Sequence, residues 1–370
     1  MVIAHVLSSL RVGGGERVAL ELAGGQVKAG RDVMVVSLAD EPDGPLAGEF
    51  RSRGVEVVTV GKRPGIELGL PLRLAKVFRA RRVKVVHTHN RLPLIYGAVA
   101  GKMARAGVVH TRHGPGRGTR RETWLRRGAG HFVDAYVAVS AELATLASEV
   151  GDCPLARISV IENGIDLDRF SADPGARGAT RAALGISASA YVLGSVGRLA
   201  PEKDYPLLVR AAAPLLGPDM WLVIVGDGAD AATIRAAVAQ AGVSQFVALP
   251  GSRSDVPQFM AAFDLFVLSS RMEGLPLVAL EAMSSGLPLL ATAVGGLPGL
   301  VKDTVTGFLV PSGDEGALRD RLMALRGDRA GTRAVAERGC AHVRARYSRE
   351  VMVERYLDLY GRILAGRGRQ

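Results

Sequence analysis

Short runs of aliphatic and β-branched residues alternate, along almost the whole chain, with stretches whose apolar positions recur at helical spacing. That alternation is the pattern of parallel sheets covered by helices. In the first half the predicted strands are Val2 to Leu7, Val33 to Leu38, Val55 to Val60, Val83 to His87, Val108 to Thr111, Ala135 to Val139 and Ile158 to Ile161. A polar, breaker-rich stretch, Ser171-Ala172-Asp173-Pro174-Gly175, follows, and a fresh series begins at Tyr191 to Val196. Its later strands are Trp221 to Val225, Phe246 to Leu249, Leu265 to Ser269 and Pro288 to Ala291. The chain therefore reads as α/β, with two doubly wound parallel-sheet domains spanning residues 1–168 and 169–347. Its 370 residues exceed the length at which one core usually stops growing, roughly 250–300 residues. Ligands bind at the carboxyl ends of the strands in open sheets, so the site is expected in the cleft between the domains. A final helix over 348–366 carries an apolar stripe of Val351, Tyr356, Leu359, Tyr360 and Ile363 and is expected to pack back on the first domain.

Composition narrows the class. An apolar content of 48% with 22% charged residues is ordinary for a globular chain. No apolar run approaches the roughly 18 residues needed to cross a bilayer. Val2 to Leu7 lacks a basic leader and runs into a glycine-rich turn, so it reads as a first strand and not as a signal peptide. Cys153 and Cys340 offer neither a disulfide framework nor a metal-ligand set, which fits a reducing cytoplasm. The net charge of +11 is uneven, with +8 before residue 171 and +3 after it. The densest basic stretches are Arg73-Lys76-Arg79-Arg81-Arg82-Lys84 and Arg112-Arg117-Arg120-Arg121-Arg126-Arg127, the second containing Trp124 and Leu125. Such a surface fits an anionic membrane, at about 1 kcal/mol per charge, or a solvated arginine-rich face. With 5% aromatic residues and no recognition motif, nucleic acid is a poorer reading and is not the expected partner.

The candidate chemistry centres on Glu273 and Glu281, eight positions apart across a strand-to-helix junction. Leu265 to Ser269 reads as a buried strand, and Pro276 suits the first helical position because its missing N–H would be unpaired there. The free N–H groups of that helical turn form a natural cradle for phosphate. With Glu273 before the cradle and Glu281 two turns in, the acids span a ligand about 10 Å long. A nucleotide sugar has that length and polarity. Carboxylates repel a diphosphate, so cations must come from elsewhere: Arg198 and Lys203, in Gly197-Arg198-Leu199-Ala200-Pro201-Glu202-Lys203, follow one strand and precede a helix.

Other residues admit more than one role. Gly13-Gly14-Gly15-Glu16 after the first strand either admits a phosphate or hydroxyl closely or only makes the turn. It does not match the dinucleotide fingerprint. His113 ends a strand and either touches substrate or fixes its loop. His87 and His89 read as positioning a substrate loop, with no third metal ligand in evident reach. Asp166-Leu167-Asp168 reads as turn and cap chemistry in place of a metal site.

Together these segments resemble the retaining GT-B glycosyltransferases of family 4. The ordered set comprises Gly13 to Glu16, Asn163-Gly164-Ile165-Asp166, Gly197-Arg198-Leu199 with Glu202-Lys203, Val225-Gly226-Asp227-Gly228, Phe263-Asp264, the E-x7-E pair Glu273 and Glu281, Glu281-Ala282-Met283, Gly286-Leu287-Pro288 and Gly295-Gly296. The resemblance implies GT-B architecture, two Rossmann-like domains facing across a cleft. It implies that Arg198 and Lys203 bind the donor diphosphate, Glu281 the ribose and Glu273 the transferred sugar, with Gly274, Leu275 and Pro276 bordering the phosphates. His113 would lie against the donor sugar, Gly14 and Gly15 against the phosphate, and Arg253 with Ser252 near the base. Transfer would proceed by front-face attack, with catalytic roles for His113, Glu273, Arg198 and Lys203, without a metal or other cofactor. One departure is Gly299, where relatives commonly carry Glu in Gly-Gly-x-Pro-Glu.

The expected function is transfer of a sugar from a nucleotide donor to a cytoplasmic acceptor, such as a polyprenyl-diphosphate-linked glycan of surface polysaccharide assembly. The protein is expected to be peripheral on the cytoplasmic face of the membrane. Two rivals share parts of this pattern: a sugar-nucleotide epimerase on the same scaffold, and a non-enzymatic basic lipid- or nucleic-acid-binding protein with a decayed donor site.

Overall fold

A computed structural model describes residues 1–39, 44–116, 118–170 and 174–367. Arg117 of the second basic stretch and Ser171 to Asp173 of the breaker-rich segment lie outside the described residues. The chain divides into two compact units: Met1–Ile165 with the chain from Tyr347 onward, and Asp166–Arg346.

Among the described residues the first unit holds one parallel sheet built from β1 (Val2–Leu7), β2 (Asp32–Ser37), β3 (Glu56–Thr59), β4 (Val85–His89), β5 (Gly107–Arg112), β6 (Ala135–Ala138) and β7 (Ile158–Val160). Its spatial order is β3-β2-β1-β4-β5-β6-β7. The order reverses between β1 and β4, so the loops after these two strands flank a topological switch point. Side chains from the strands and the helices Leu70–Ala80 and Arg91–Met103 close one core layer, with Val6, Met34, Leu74, Phe78 and Val86 at 0–1% exposure.

The terminal helix Arg349–Arg367 covers part of this unit, burying Met352, Val353, Tyr356, Leu359 and Tyr360. Its buried stripe includes Met352 and Val353, while Val351 and Ile363 are half-buried. Val353 fits where helix Gly14–Lys28 has Gly25; a Cβ there would stand 2.5 Å from Val353 Cγ2. At Gly24 the Arg53 side chain passes at 2.8 Å from a would-be Cβ. A glycine inside a helix costs about 1 kcal/mol relative to alanine, and here both glycines make room for neighbours.

The second unit contains β8 (Tyr191–Val196), β9 (Met220–Val225), β10 (Val247–Ala248), β11 (Leu265–Leu268), β12 (Leu289–Thr292) and β13 (Phe308–Val310). All pair in parallel in the order β10-β9-β8-β11-β12-β13, with the switch point between β8 and β11. The core is aliphatic, with Leu193, Leu222, Ile224, Leu265 and Leu290 fully buried. Phe263-Asp264 clamps the start of this sheet. Asp264 accepts from Arg177 at 2.6 Å, from Arg181 at 2.7 Å and from the Val192 N–H at 2.7 Å.

Candidate functional site

In the second unit, the loops leaving β8 and β11 at the switch point carry most of the predicted residues. Lys203 closes the 3-10 turn Pro201–Lys203, and its backbone carbonyl accepts the Ser269 hydroxyl at 2.9 Å. That bond ties the β8 loop to the end of β11. Across it, Lys203 Nζ and the Ser270 hydroxyl both donate to Glu273 Oε1, each at 2.6 Å. Glu273 is 8% exposed, so this pair holds a nearly dry carboxylate in one place. The loop after β12 presses on it from behind: Gly296 N–H donates to Gly274 C=O at 2.6 Å, and Gly295 adopts φ +53°. A Cβ at Gly295 would lie 2.1 Å from the Glu273 carbonyl oxygen, so only glycine allows this approach.

The β8 loop is fixed in the same manner from β9. Gly197 N–H reaches Val225 C=O and Leu199 N–H reaches Asp227 C=O, each at 2.9 Å, and a Cβ at Gly226 would stand 1.8 Å from Gly197 O. Arg198, between these anchors, is nevertheless exposed at its tip. Its side chain is 72% exposed and pairs with Glu202 at 2.5 Å. The structure thus joins Lys203 to Glu273, while Arg198 answers to a different carboxylate.

Two details of the predicted cradle change. Pro276 is the N-cap, with ψ 124°, and the helix runs Leu277–Ser284. Its extended ψ excludes it from the helix proper, so the first turn begins one residue later than predicted. Glu281 is consequently the fifth helical residue, just past one turn and not two, and is half-buried. Gly274, Leu275 and Pro276 line the approach as buried residues. Arg253 makes a two-pronged pair with Asp255, at 2.9 and 2.8 Å, and stacks 5.4 Å from the Phe259 ring centre. Asp166 Oδ1 accepts from Asp168 N–H at 3.2 Å, a turn bond.

In the first unit the loops after β1, β4 and β5 bring Gly15, Asn90 and His113 together. A Cβ on Gly15 would lie 2.9 Å from Asn90 Nδ2 and 3.2 Å from His113 Cδ2, whereas Gly14 has open space around it. Asn90 takes a left-handed φ of 63° and accepts the His113 N–H at 3.3 Å. His113 lies just beyond β5, and burial lowers its pKa to about 4, so the ring is neutral near pH 7. Asn90 and Ser270 escaped the sequence reading; their only local signal was a polar residue directly after a buried strand.

The basic stretches prove heterogeneous. Arg112 and Arg126 are not surface charges: both are buried and both pair with the fully buried Asp152 at 2.7 Å. Trp124, by contrast, is 76% exposed. No helix among the described residues is long and apolar enough to cross a membrane.

Residues 12–169 match the family model "Glycosyltransferase Family 4" and residues 177–339 the model "Glycosyl transferases group 1". An Escherichia coli UDP-Gal:alpha-D-GlcNAc-diphosphoundecaprenol alpha-1,3-galactosyltransferase is 32% identical over 69% of this chain and 70% of its own length. The chain belongs to glycosyltransferase family 4. A second relative, a D-inositol 3-phosphate glycosyltransferase of Mycolicibacterium vanbaalenii, is 32% identical over 94% of this chain and 84% of its own. The two-sheet GT-B fold recurs in the crystal structure of Anabaena Alr3699/HepE in complex with UDP, with a TM-score of 0.88 at 23% identity over 98% of this chain and 100% of that one. It recurs in WaaG, a glycosyltransferase involved in lipopolysaccharide biosynthesis, with a TM-score of 0.76 at 20% identity over 97% and 99%. This family 4 protein is accordingly an enzyme, a glycosyltransferase.

Proposed function

We propose that this glycosyltransferase moves a hexose, with retention of configuration, from a nucleotide-sugar donor to a phosphate-bearing, lipid-linked acceptor on the cytoplasmic face of a membrane. The observation that carries the donor half is the Lys203–Glu273–Ser270 cluster at the switch point of the second sheet. In this reading Lys203 meets the donor diphosphate, and Arg198 joins it by leaving Glu202. An exposed ion pair is worth only about 0–1 kcal/mol, so that exchange is cheap. Glu273 accepts hydroxyls of the transferred sugar and Glu281 those of the ribose. Gly274, Leu275 and Pro276 border the phosphates, and Arg253 lies towards the base. In the first unit His113 and the Gly14-Gly15 loop meet the substrate.

In this reading retention comes from front-face attack, and the way Glu273 is held argues against the covalent alternative. A carboxylate whose Oε1 already accepts from an ammonium and a hydroxyl is a weak nucleophile but a good acceptor of sugar hydroxyls. The departing phosphate, its charge met by Lys203 and Arg198, then takes the acceptor proton. No metal ion takes part, and transfer survives EDTA.

Both named relatives act on phosphate-bearing acceptors by their names, a diphosphoundecaprenol and an inositol 3-phosphate. A cavity of about 300 Å³ in the first unit is lined by Asn90, Arg91, Arg112 and Arg126; Arg112 and Arg126 are committed to Asp152, and Arg91, partly exposed and paired with Glu122 at 3.1 Å, is the cation that can turn to a phosphate. The lipid-linked form is favoured by Trp124, Leu68 and Leu72, at 76, 86 and 55% exposure beside basic side chains. Ligand-induced thermal stabilisation across UDP-, GDP- and ADP-sugars tests the donor. A donor at 100 times its dissociation constant adds about 2.7 kcal/mol, and stabilisation by none of them refutes the reading. An inverted anomeric product would refute retention. Co-sedimentation with anionic but not neutral vesicles, lost at high salt, tests the membrane half.

A further inference from the structure

A chain of hydrogen bonds threads the interior of the first unit. Gln26 Oε1 lies 2.8 Å from His5 Nε2, His5 Nδ1 lies 2.9 Å from His89 Nε2, and His89 Nδ1 lies 2.9 Å from His113 Nε2. Gln26, His5 and His89 are at most 1% exposed. The chain then stops: His113 Nδ1 is buried and has no hydrogen-bond partner among the described residues. His87 forms a side branch, with Nδ1 2.6 Å from the Tyr360 hydroxyl and Nε2 2.7 Å from the Thr111 hydroxyl. The ring nitrogens of His5, His87 and His89 lie within 4.8 Å of one another. His5 is thus the third imidazole that the sequence did not place beside His87 and His89; all six ring nitrogens are engaged in these bonds, and we read the cluster as a relay.

A neutral imidazole carries one donor and one acceptor nitrogen, so a row of them has only two consistent states, set by its end. Burial keeps these rings neutral: the pKa of His5 and of His113 falls to about 4, and that of His89 well below 6.5. The end is Gln26. Its amide nitrogen donates to the Tyr360 hydroxyl at 3.4 Å, and that hydroxyl in turn lies 2.6 Å from His87 Nδ1. The Gln26 carbonyl is therefore turned to His5 and can only accept. His5 must carry its proton on Nε2, His89 on Nε2 and His113 on Nε2, which leaves a bare lone pair on His113 Nδ1.

We propose that Gln26, His5 and His89 are positioning residues that act through His113, fixing its Nδ1 as a hydrogen-bond acceptor, so that the substrate group it meets is a hydroxyl. A phosphate or carbonyl oxygen brings no proton and would confront that lone pair unpaired. The proposal rests on the substrate contact of His113 put forward above, and turns it from proximity into chemical selection.

The test begins with ligand-free full-length protein labelled with ¹⁵N-histidine, using the two-bond proton–nitrogen correlations that distinguish protonated from bare ring nitrogens. His113 is assigned by loss of its signals in His113→Gln. The expected result is a bare Nδ1 on His113 at pH 7.5. A proton on Nδ1 overturns the relay whatever the variants do. Gln26→Met removes the acceptor at the end of the row, and His113 then distributes over both tautomers. Tyr356→Phe removes a buried hydroxyl from the same helix, one bonded to Thr111 and not to Gln26, and leaves the tautomer unchanged. Apparent affinity for whichever of the UDP-, GDP- or ADP-sugars responds in the thermal panel weakens in proportion to the lost acceptor fraction, at least twofold for an even mixture. An unchanged His113 spectrum in Gln26→Met overturns the proposal while the glycosyltransferase reading stands. Unaltered donor hydrolysis in His113→Ala sinks the substrate contact, and with it the selection for a hydroxyl.

Discussion

The Lys203–Glu273 pair makes a quantitative claim that a double-mutant cycle can break. Lys203→Met keeps most of the aliphatic stem but strands the Glu273 carboxylate, 8% exposed, with only the Ser270 hydroxyl as donor. Removing one partner of a buried pair costs about 3–5 kcal/mol. Lys203 retains 18% exposure, so water reaches the pair, and about 2–3 kcal/mol is expected here. Glu273→Gln leaves the ammonium a neutral carbonyl to bond and should cost about 1–2 kcal/mol. The double variant buries an amide and a thioether with no stranded charge. It should lose about 1–2 kcal/mol in all, a coupling of roughly 2 kcal/mol. Trp221, in β9 of the same unit, reports unfolding in urea once the other tryptophan, the exposed Trp124, is replaced by Phe. Single-variant losses that add to within about 0.5 kcal/mol would show that the two side chains do not act as a pair.

Three further outcomes follow from the geometry. Gly295→Ala forces a Cβ to within 2.1 Å of the Glu273 carbonyl at φ +53°; it should lower stability by about 2 kcal/mol or more and weaken donor stabilisation in the thermal panel. Gly299 has nothing within 4 Å of a would-be Cβ, so Gly299→Glu should fold at least as well as the parent, and a changed ranking of nucleotide sugars in the same panel would assign Glu at this position a role in donor choice. Burial depresses the pKa of His5 and His113 to about 4, and of His87, His89 and His110 well below 6.5. Because the unfolded rings take protons first, stability is complete above pH 6.5 and is lost as the pH falls towards 4, by about tenfold in the unfolding equilibrium per pH unit for each ring. Hydrogen exchange at pH 5 should expose β1, β4 and β5 before β8 and β11.

Most strands were legible because a short aliphatic run is a local signal. β13 was not: Phe308–Val310 has three residues, wedged between Gly307 and Pro311, too few to show a period. β4 was read two residues early, ending at His87, because Thr88 and His89 look like loop residues. They are strand residues buried at 0–1% exposure, since partners on β1 and β5 satisfy their polar atoms. The same limit hid Gly24 and Gly25, whose reasons are Arg53 and Val353, and it hid the relay, whose members span residues 5 to 113 and whose end, Gln26, is oriented by Tyr360. At the second switch point the acids and cations were visible as residue types at strand ends. Which acid held which cation was not, because Arg198 and Lys203 differ in what lies beside them after folding and not in their spacing.

That difference predicts a division of labour between two cations the sequence treats alike. Lys203 is fixed before any ligand arrives, by its carbonyl bond to Ser269 and its ammonium bond to Glu273. A charge already in place costs no reorganisation when negative charge builds on a leaving phosphate, so its contribution belongs to the transition state. Arg198 is exposed and, among the described residues, held by Glu202 alone, so it is drawn to a diphosphate already present in the ground state and acts equally in both. Arg198→Ala should therefore raise KM for the donor about tenfold with kcat within threefold, the signature of uniform binding. Lys203→Met, measured well below its lowered melting temperature, should depress kcat by about 100-fold or more. Steady-state rates over a range of donor concentrations separate the two, and a kcat effect in Arg198→Ala as large as that in Lys203→Met would show that both cations act on the same step.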